Sequence, residues 1–327
     1  MPEGDSIFRA ARTLHRALAG HVVTRFDTAY APLARVHDDT PITGRTIEAV
    51  EARGKHLVMH FSGDLTGSDA ALSRAAPGGP VGARLQFADA PPRVDRTMAP
   101  DSVLAIRRAD AGRVGGAWRG PLALRTHMRM HGSWHVYRPG ERWQRPPREM
   151  RVLVATAAFV AVGFNIVDAE FEAASAVGTR DAIAHLGPDL LAPGFDAAEA
   201  LRRLGERGPV PIAEALLDQR ALAGIGNVFK SEVLFEGGVH PETRVDALSD
   251  ARLAELVDIA RRQLAANVVE TMPRFGRRTT GRMAIAEGLW VYGRGGRPCR
   301  RCGTPITFAR LGLGARPTYW CPRCQTA

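Results

Sequence analysis

Cysteine is missing from the first 298 residues of this 327-residue chain. No apolar run reaches the ~18 residues of a membrane-spanning helix. The longest mostly apolar stretch, Val152 to Phe164, is broken by Thr156 and Gly163. The opening residues MPEGDSIF carry charge at once and lead into no apolar core, so neither a secretory signal nor a disulfide-stapled scaffold is expected. Acid is nearly missing from one long segment: between Arg274 and Arg323, eleven arginines stand with Glu287 as the sole acid. These absences leave a reduced, cytoplasmic protein with no membrane partner as the expectation.

What cysteine there is lies in two knuckles, Cys299-x2-Cys302 and Cys321-x2-Cys324. Each knuckle offers two thiolates from one tight turn, and tetrahedral Zn²⁺ takes four, so one structural zinc per chain is expected; two disulfides are the alternative. Four cysteines leave no open position for water, so the metal is structural rather than catalytic. His127, His131 and His135 lie on strand-like sequence and are not expected to form a second site. The net charge of +10 and pI near 10.4 favour a polyanionic partner. General drift of arginine-rich sequences explains charge alone equally well. The concentration of arginine around the knuckles, interleaved with Tyr292, Tyr319 and Trp320, reads instead as a grip on a phosphate backbone.

Ser6 to Ala19 reads as a helix with an Ile7, Ala10/Ala11, Leu14, Leu18 stripe, capped by Asp5 or Ser6 and ended by Gly20. Strand signals follow at Val22–Phe26, Thr46–Val50 and Leu57–Phe61, and again at Leu122–Met130, Gly132–Tyr137, Met150–Ala155 and Phe159–Phe164. The Ala/Gly/Pro/Arg-rich stretch from Gly63 to Gly120 has weak periodicity and reads as a surface insertion, partly disordered. Helices are expected at Asp196–Leu204, Ile212–Leu217, Val228–Glu236 and Asp250–Val269. The order is β-rich, then α-rich, then a zinc ribbon.

Two further constellations carry chemistry. Removal of Met1 before a small residue would expose Pro2 as a secondary amine with a pKa near the α-amino range of about 7.7–8.0. Such an amine attacks aldehyde carbons, C1′ of deoxyribose among them, to give an iminium, and the adjacent Glu3 could move protons. By itself an MPE start says little. The second is Leu216-Leu-Asp-Gln-Arg-Ala-Leu-Ala-Gly-Ile-Gly-Asn-Val-Phe-Lys-Ser-Glu232. A helix ending near Gln219, a turn at Gly224 and Gly226 with positive φ, and a second helix capped by Asn227 would make a corner of free N–H groups that binds phosphate. A purely structural helical hairpin explains the glycines equally well.

PEGD at the start, RGKHL at Arg53–Leu57, LLDQ…LAGIGN…KSE, and VYGRGGRPCRRCGTPI stand together in one order. With them the chain resembles the formamidopyrimidine-DNA glycosylase / endonuclease VIII family of DNA-repair glycosylases, over residues 2–62, 121–169 and 186–326. The resemblance implies an α+β fold. Residues 1–170 would form an N-terminal catalytic β-sandwich domain with flanking helices and the insertion at about 63–120. Residues 171–285 would form a helix-two-turn-helix domain, and 286–327 a zinc-finger hairpin. It implies Pro2 as Schiff-base nucleophile, Glu3 as the acid that helps open the sugar, and Lys55 in phosphate contact and elimination. Asn227 would hold a phosphate beside the lesion, Arg316 would reach the lesion phosphates and assist δ-elimination, and Met130 would be the wedge that fills the stack once a base is extruded. A core methionine is the other reading of Met130.

Where the guanine-lesion branch carries an arginine on a late strand, this chain reads Ala161-Val-Gly-Phe-Asn-Ile-Val-Asp168. That is similar to endonuclease VIII and implies a monomer acting on double-stranded DNA with oxidised pyrimidines or abasic sites, in the bacterial cytoplasm and nucleoid-associated when bound. Preference for 8-oxoguanine and formamidopyrimidines, or a catalytically silent damaged-DNA-binding protein, are the alternatives. An RNA-binding zinc ribbon has no single-strand stacking motif behind it. The insertion is expected to be dispensable for nicking. A Thr66–Arg113 deletion that is folded and zinc-loaded yet inactive would overturn that.

Overall fold

The computed structural model describes residues 2–65, 113–114, 117–118, 120–179, 181–268, 276–282 and 284–326. Most of the insertion expected at about 63–120, and Arg274, lie outside the described residues. The chain separates into two compact units. One comprises Met1–Pro2 and Arg9–Arg180; the other comprises Glu3–Phe8 and Asp181–Ala327.

The first unit is built from strands whose apolar residues alternate or run continuously. Helix α1 (Gly4–Leu18) buries Ile7, Ala11, Leu14 and Leu18, and the chain turns out of it at Gly20 (φ +80°). Then come β1 (Val23–Thr28), helix α2 (Ala31–Asp39), β2 (Arg45–Arg53) and β3 (His56–Leu65). A short hairpin follows, β4 (Arg113–Val114) and β5 (Ala117–Trp118), then β6 (Leu122–His127), β7 (Ser133–Tyr137), β8 (Met150–Thr156), β9 (Val160–Phe164) and β10 (Asp168–Ala173). Eight of these form two open antiparallel sheets, ordered β1-β8-β9-β7 and β10-β6-β3-β2. The sheets face each other as a sandwich. Phe26 of β1 lies 5.5 Å from Phe171 of β10, and Trp134 Nε1 of β7 donates to Thr126 Oγ1 of β6.

Each strand expected from sequence is present. Helix α2, the short β4–β5 hairpin and strand β10 were not foreseen. Helix α2 buries only Leu33 and so carries no apolar stripe. Strand β10 hides its alternation under acid: Glu172 is buried, with Oε1 3.7 Å from the Arg125 guanidinium. The strand expected to run to Met130 stops at His127, because Arg129 takes φ +48° and turns the chain.

The second unit holds α3 (Asp181–Ala184), α4 (Ala197–Gly205), α5 (Ile212–Ala215), α6 (Asn227–Glu236) and α7 (Asp250–Ala266). Asp196 caps α4 through Glu199 N, and Ser249 caps α7 through Arg252 N. Leu253, Leu256, Val257, Ala260 and Leu264 of α7 pack into a core with Leu204, Ile225 and Phe229. Nearly all of α6 is buried, polar residues included, which is why it shows no apolar stripe. Strands β11 (Thr307–Leu311) and β12 (Arg316–Trp320) form the terminal hairpin. Among the described residues, no helix is long and apolar enough to cross a membrane.

Candidate functional site

The first two residues of the second unit, Glu3 and Gly4, sit against the turn that precedes α6. Gly4 N donates to Gly224 O at 2.9 Å, and a Cβ on Gly4 would meet Gly224 Cα at 2.9 Å. Glu3 is fully buried. Its carboxylate accepts from Val228 N at 2.8 Å, Gly226 N at 3.1 Å and Phe229 N at 3.2 Å. Those are orphan donors of the α6 N-terminus, so Glu3 caps that helix across more than two hundred residues of sequence.

This revises the reading of the Gly-x-Gly turn at three points. Gly224 does take positive φ (+112°), but Gly226 has φ −128°; it is glycine because a Cβ there would lie 2.4 Å from Glu3 Cδ. Gly226 is the N-cap, and Asn227 is the first helical residue rather than the cap. The helix expected to end near Gln219 ends at Ala215, and Gln219 instead laces the turn. Its Nε2 donates to Leu217 O and Ile225 O, and its Oε1 accepts from Gly224 N. The N–H groups on either side of Asn227 are taken by Glu3. Among the described residues no hydrogen bond engages the Asn227 backbone N–H or side-chain amide.

In the first unit, the strand register gathers two other sequence-predicted residues. Arg53 pairs with His56, His56 with His127, and His127 with Asp168. The turns beyond that row lie at one end of the sheet. Lys55 sits in the β2–β3 turn beside Gly54 (φ +58°), and Met130 sits in the turn after β6. Met130 is 52% exposed, whereas Met128 is buried, so the core reading fits Met128 and not Met130. His127 Nδ1 accepts from Arg129 N at 3.0 Å, and Asp168 Oδ2 lies 3.2 Å from the Arg129 guanidinium. Burial, with Arg129 next in effect, pushes His127 down to about 4; burial, with His127 next, pushes His56 down to about 3. Both imidazoles are therefore neutral near pH 7, which suits His127 as an acceptor. Pro2 is half-buried.

Arg316 opens β12 and is exposed. The arginine count around the knuckles overstates the phosphate grip. Arg277 is half-buried in a forked pair with Asp5, Nη2–Oδ1 2.9 Å and Nε–Oδ2 3.0 Å. Arg300 donates to Leu289 O and Ala286 O, and Arg294 to Pro298 O. Arg301 stacks over Phe235. These contacts hold the module together, Arg301 while itself exposed; Arg297, Arg310, Arg316 and Arg323 are exposed as well. Buried Glu232, unforeseen, anchors the same module by accepting from Trp290 N, Val291 N and Tyr292 N.

The thiols of Cys299, Cys302, Cys321 and Cys324 lie within 4.8 Å of one another. Cys299 and Cys324 are 3.9 Å apart, and Cys302 lies 3.5 Å from both Cys321 and Cys324. Thiolates on zinc at about 2.3 Å stand about 3.8 Å apart at tetrahedral angles. A disulfide needs about 2.05 Å, and all four cysteines are free. The donor set fits a four-thiolate zinc site.

Three family models match in order along the chain. The formamidopyrimidine-DNA glycosylase N-terminal domain covers residues 1–167, the formamidopyrimidine-DNA glycosylase H2TH domain 186–273, and the zinc finger found in FPG and IleRS 296–327. The chain is 38% identical to a probable endonuclease 8 2 of Streptomyces coelicolor, over 99% of this chain and 94% of that protein. It is 32% identical to the DNA-(apurinic or apyrimidinic site) lyase Nei2 of Mycolicibacterium smegmatis, over the whole of both. Its fold matches that of the Lactococcus lactis formamidopyrimidine-DNA glycosylase non-covalently bound to DNA containing an AP site, with TM-score 0.68, 20% identity and full coverage of both chains.

Proposed function

The chain belongs to the formamidopyrimidine-DNA glycosylase family, and on that premise we propose that it is a DNA glycosylase and abasic-site lyase that removes oxidised pyrimidines from duplex DNA. The observation that carries this is the seating of Glu3 and Gly4 on the Gly224–Phe229 turn. It anchors the residue next to Pro2, so that an amine freed by removal of Met1 starts from a fixed peptide rather than a loose tail.

The reaction then runs in three steps. The Pro2 nitrogen attacks C1′ as the C1′–base bond breaks, and the base leaves with the amine's proton; the C1′–O4′ bond then opens, O4′ taking a proton through Glu3, to give a cationic iminium. Loss of a C2′ proton breaks the 3′ C–O bond, and a second elimination releases the 5′ phosphate. Glu3 serves the proton transfers around ring opening, with its carboxylate oriented by three backbone donors. Lys55 and Arg316 meet phosphates and assist elimination, and Asn227 offers its unengaged amide to a phosphate beside the lesion. Met130, exposed on a turn, enters the gap left by the flipped nucleotide. One zinc per chain, held by Cys299, Cys302, Cys321 and Cys324, supplies no chemistry to these steps and fixes the hairpin that bears Arg316. The protein acts as a monomer in this reading.

Pyrimidine preference is supported by the β9–β10 turn, Asn165-Ile166-Val167, which has no arginine and leaves Val167 half exposed. In matched duplexes, thymine glycol is expected to be excised at least about tenfold faster than 8-oxoguanine opposite cytosine, a modest ratio for pocket discrimination. The reverse order would assign the guanine-lesion branch. Tight binding to both with release of neither base would mark a silent binder.

A further inference from the structure

The sequence holds two lysines among 44 basic residues, Lys55 and Lys230. Lys230 is buried in the second turn of α6. Its Nζ donates to Thr318 Oγ1 at 2.7 Å and to Pro317 O at 3.1 Å, and Thr318 Oγ1 donates in turn to Arg316 O at 3.0 Å. Ser231, next along α6, accepts from Tyr319 N at 3.4 Å through Oγ. A relay thus runs from a buried amine through a buried hydroxyl to the carbonyl of Arg316, while the Arg316 side chain stays exposed. We propose that Lys230 is a positioning residue for Arg316: it holds the backbone at the start of β12 so that the Arg316 guanidinium is presented at one place and angle to a DNA phosphate.

Two physical points support a role beyond filling space. Burial lowers the Lys230 pKa to about 8; Glu3 and Glu214 favour its charge and Arg316 opposes it. Keeping a charge where desolvation opposes it costs stability, and methionine would fill nearly the same volume without that cost. Glu3 grips the N-terminus of α6 and Lys230 grips β12 one turn later, so one buried helix sets the register between the nucleophile-bearing segment and the Arg316 strand.

The inference rests on the reading that Arg316 meets phosphate at the lesion, and a double-mutant cycle tests it. The variants are Lys230→Met, Arg316→Ala and the pair, all full-length and checked for zinc content. The readouts are affinity for a duplex carrying a tetrahydrofuran abasic analogue, and the ratio of δ- to β-elimination product on a true abasic site. Lys230→Met is expected to keep its zinc and its borohydride adduct, to weaken affinity by about fivefold or more, as the loss of a positioning contact does, and to lower the δ/β ratio. In the Arg316→Ala background it should change neither readout. Additive effects, or a Lys230→Met protein indistinguishable from wild type, would overturn the proposal. If Lys230→Met loses zinc, Thr318→Val cuts the relay while leaving the charge, and the same non-additivity is required of it; additivity there overturns the proposal as well. Arg316→Ala with unchanged affinity and product ratio sinks it too. Absence of the borohydride adduct in wild type would instead sink the lyase reading, and the affinity cycle would still judge Lys230.

Discussion

Sodium borohydride is expected to trap the wild-type protein on a duplex with one abasic site as a covalent adduct on a denaturing gel. Pro2→Gly, with Met1 removal confirmed, should lower the trapped yield by about a hundredfold, the scale on which a misplaced or altered reacting group costs rate. A secondary amine gives an iminium that has no N–H to lose and stays cationic, an electron sink for the eliminations that follow. A primary amine gives an imine that is neutral unless protonated, and glycine also frees the backbone torsion that proline fixes. Geometry adds to this. Gly4 is clamped to Gly224 and Glu3 to the α6 N-terminus, so the attacking nitrogen stands within two residues of fixed backbone. A variant that retains Met1 would displace the amine by one residue, about 3.8 Å, and should trap as poorly as Pro2→Gly. If wild type binds the duplex, carries zinc and gives no adduct, the protein is a binder of damaged DNA and the lyase assignment falls.

The strands of the first unit were legible because their apolar residues alternate or run together between Pro and Gly, and helices α4 and α7 because periodicity and a cap mark them. Legibility failed where charge is buried. Strand β10 carries Glu172 inside, against Arg125, and reads as polar coil. The same failure affects the site. Glu3 could be singled out as a proton carrier, but its capping of a helix more than two hundred positions away is a non-local fact that no spacing rule contains. Gly226 illustrates the point in reverse: the glycine was visible, and a positive φ was the obvious reason for it. The actual reason is that the Glu3 side chain occupies the space of its missing Cβ. Arginine behaved likewise. Its count near the knuckles was plain, yet Arg277, Arg294, Arg300 and Arg301 are engaged by Asp5, by backbone carbonyls and by Phe235. The knuckles were the most legible feature, because the spacing of metal ligands is local chemistry written in four residues.

Removing zinc is expected to be as damaging to DNA binding as losing Pro2 is to chemistry. The hairpin and its knuckles bury little of their own: Val291, Cys299, Ile306 and Cys321 form a small cluster against Phe235 of α6. A module of this size does not hold a fold by apolar burial alone, and four-thiolate zinc supplies about 10–16 kcal/mol of apparent binding free energy in comparable peptides. Chelation, or Cys321→Ser at a fully buried ligand position, should therefore release β11 and β12 while α4, α6 and α7 keep their helical signal, since their core is separate. Once β12 is released, the Lys230–Thr318–Arg316 relay has no partner, and Arg310 and Arg316 lose their fixed places. Affinity for abasic-site duplex should fall by about a hundredfold or more, as expected when several backbone contacts are lost together. Metal analysis paired with a binding titration checks it. Full nicking by a sample shown to hold no zinc would mean that the hairpin is dispensable and that Arg316 does not act from it.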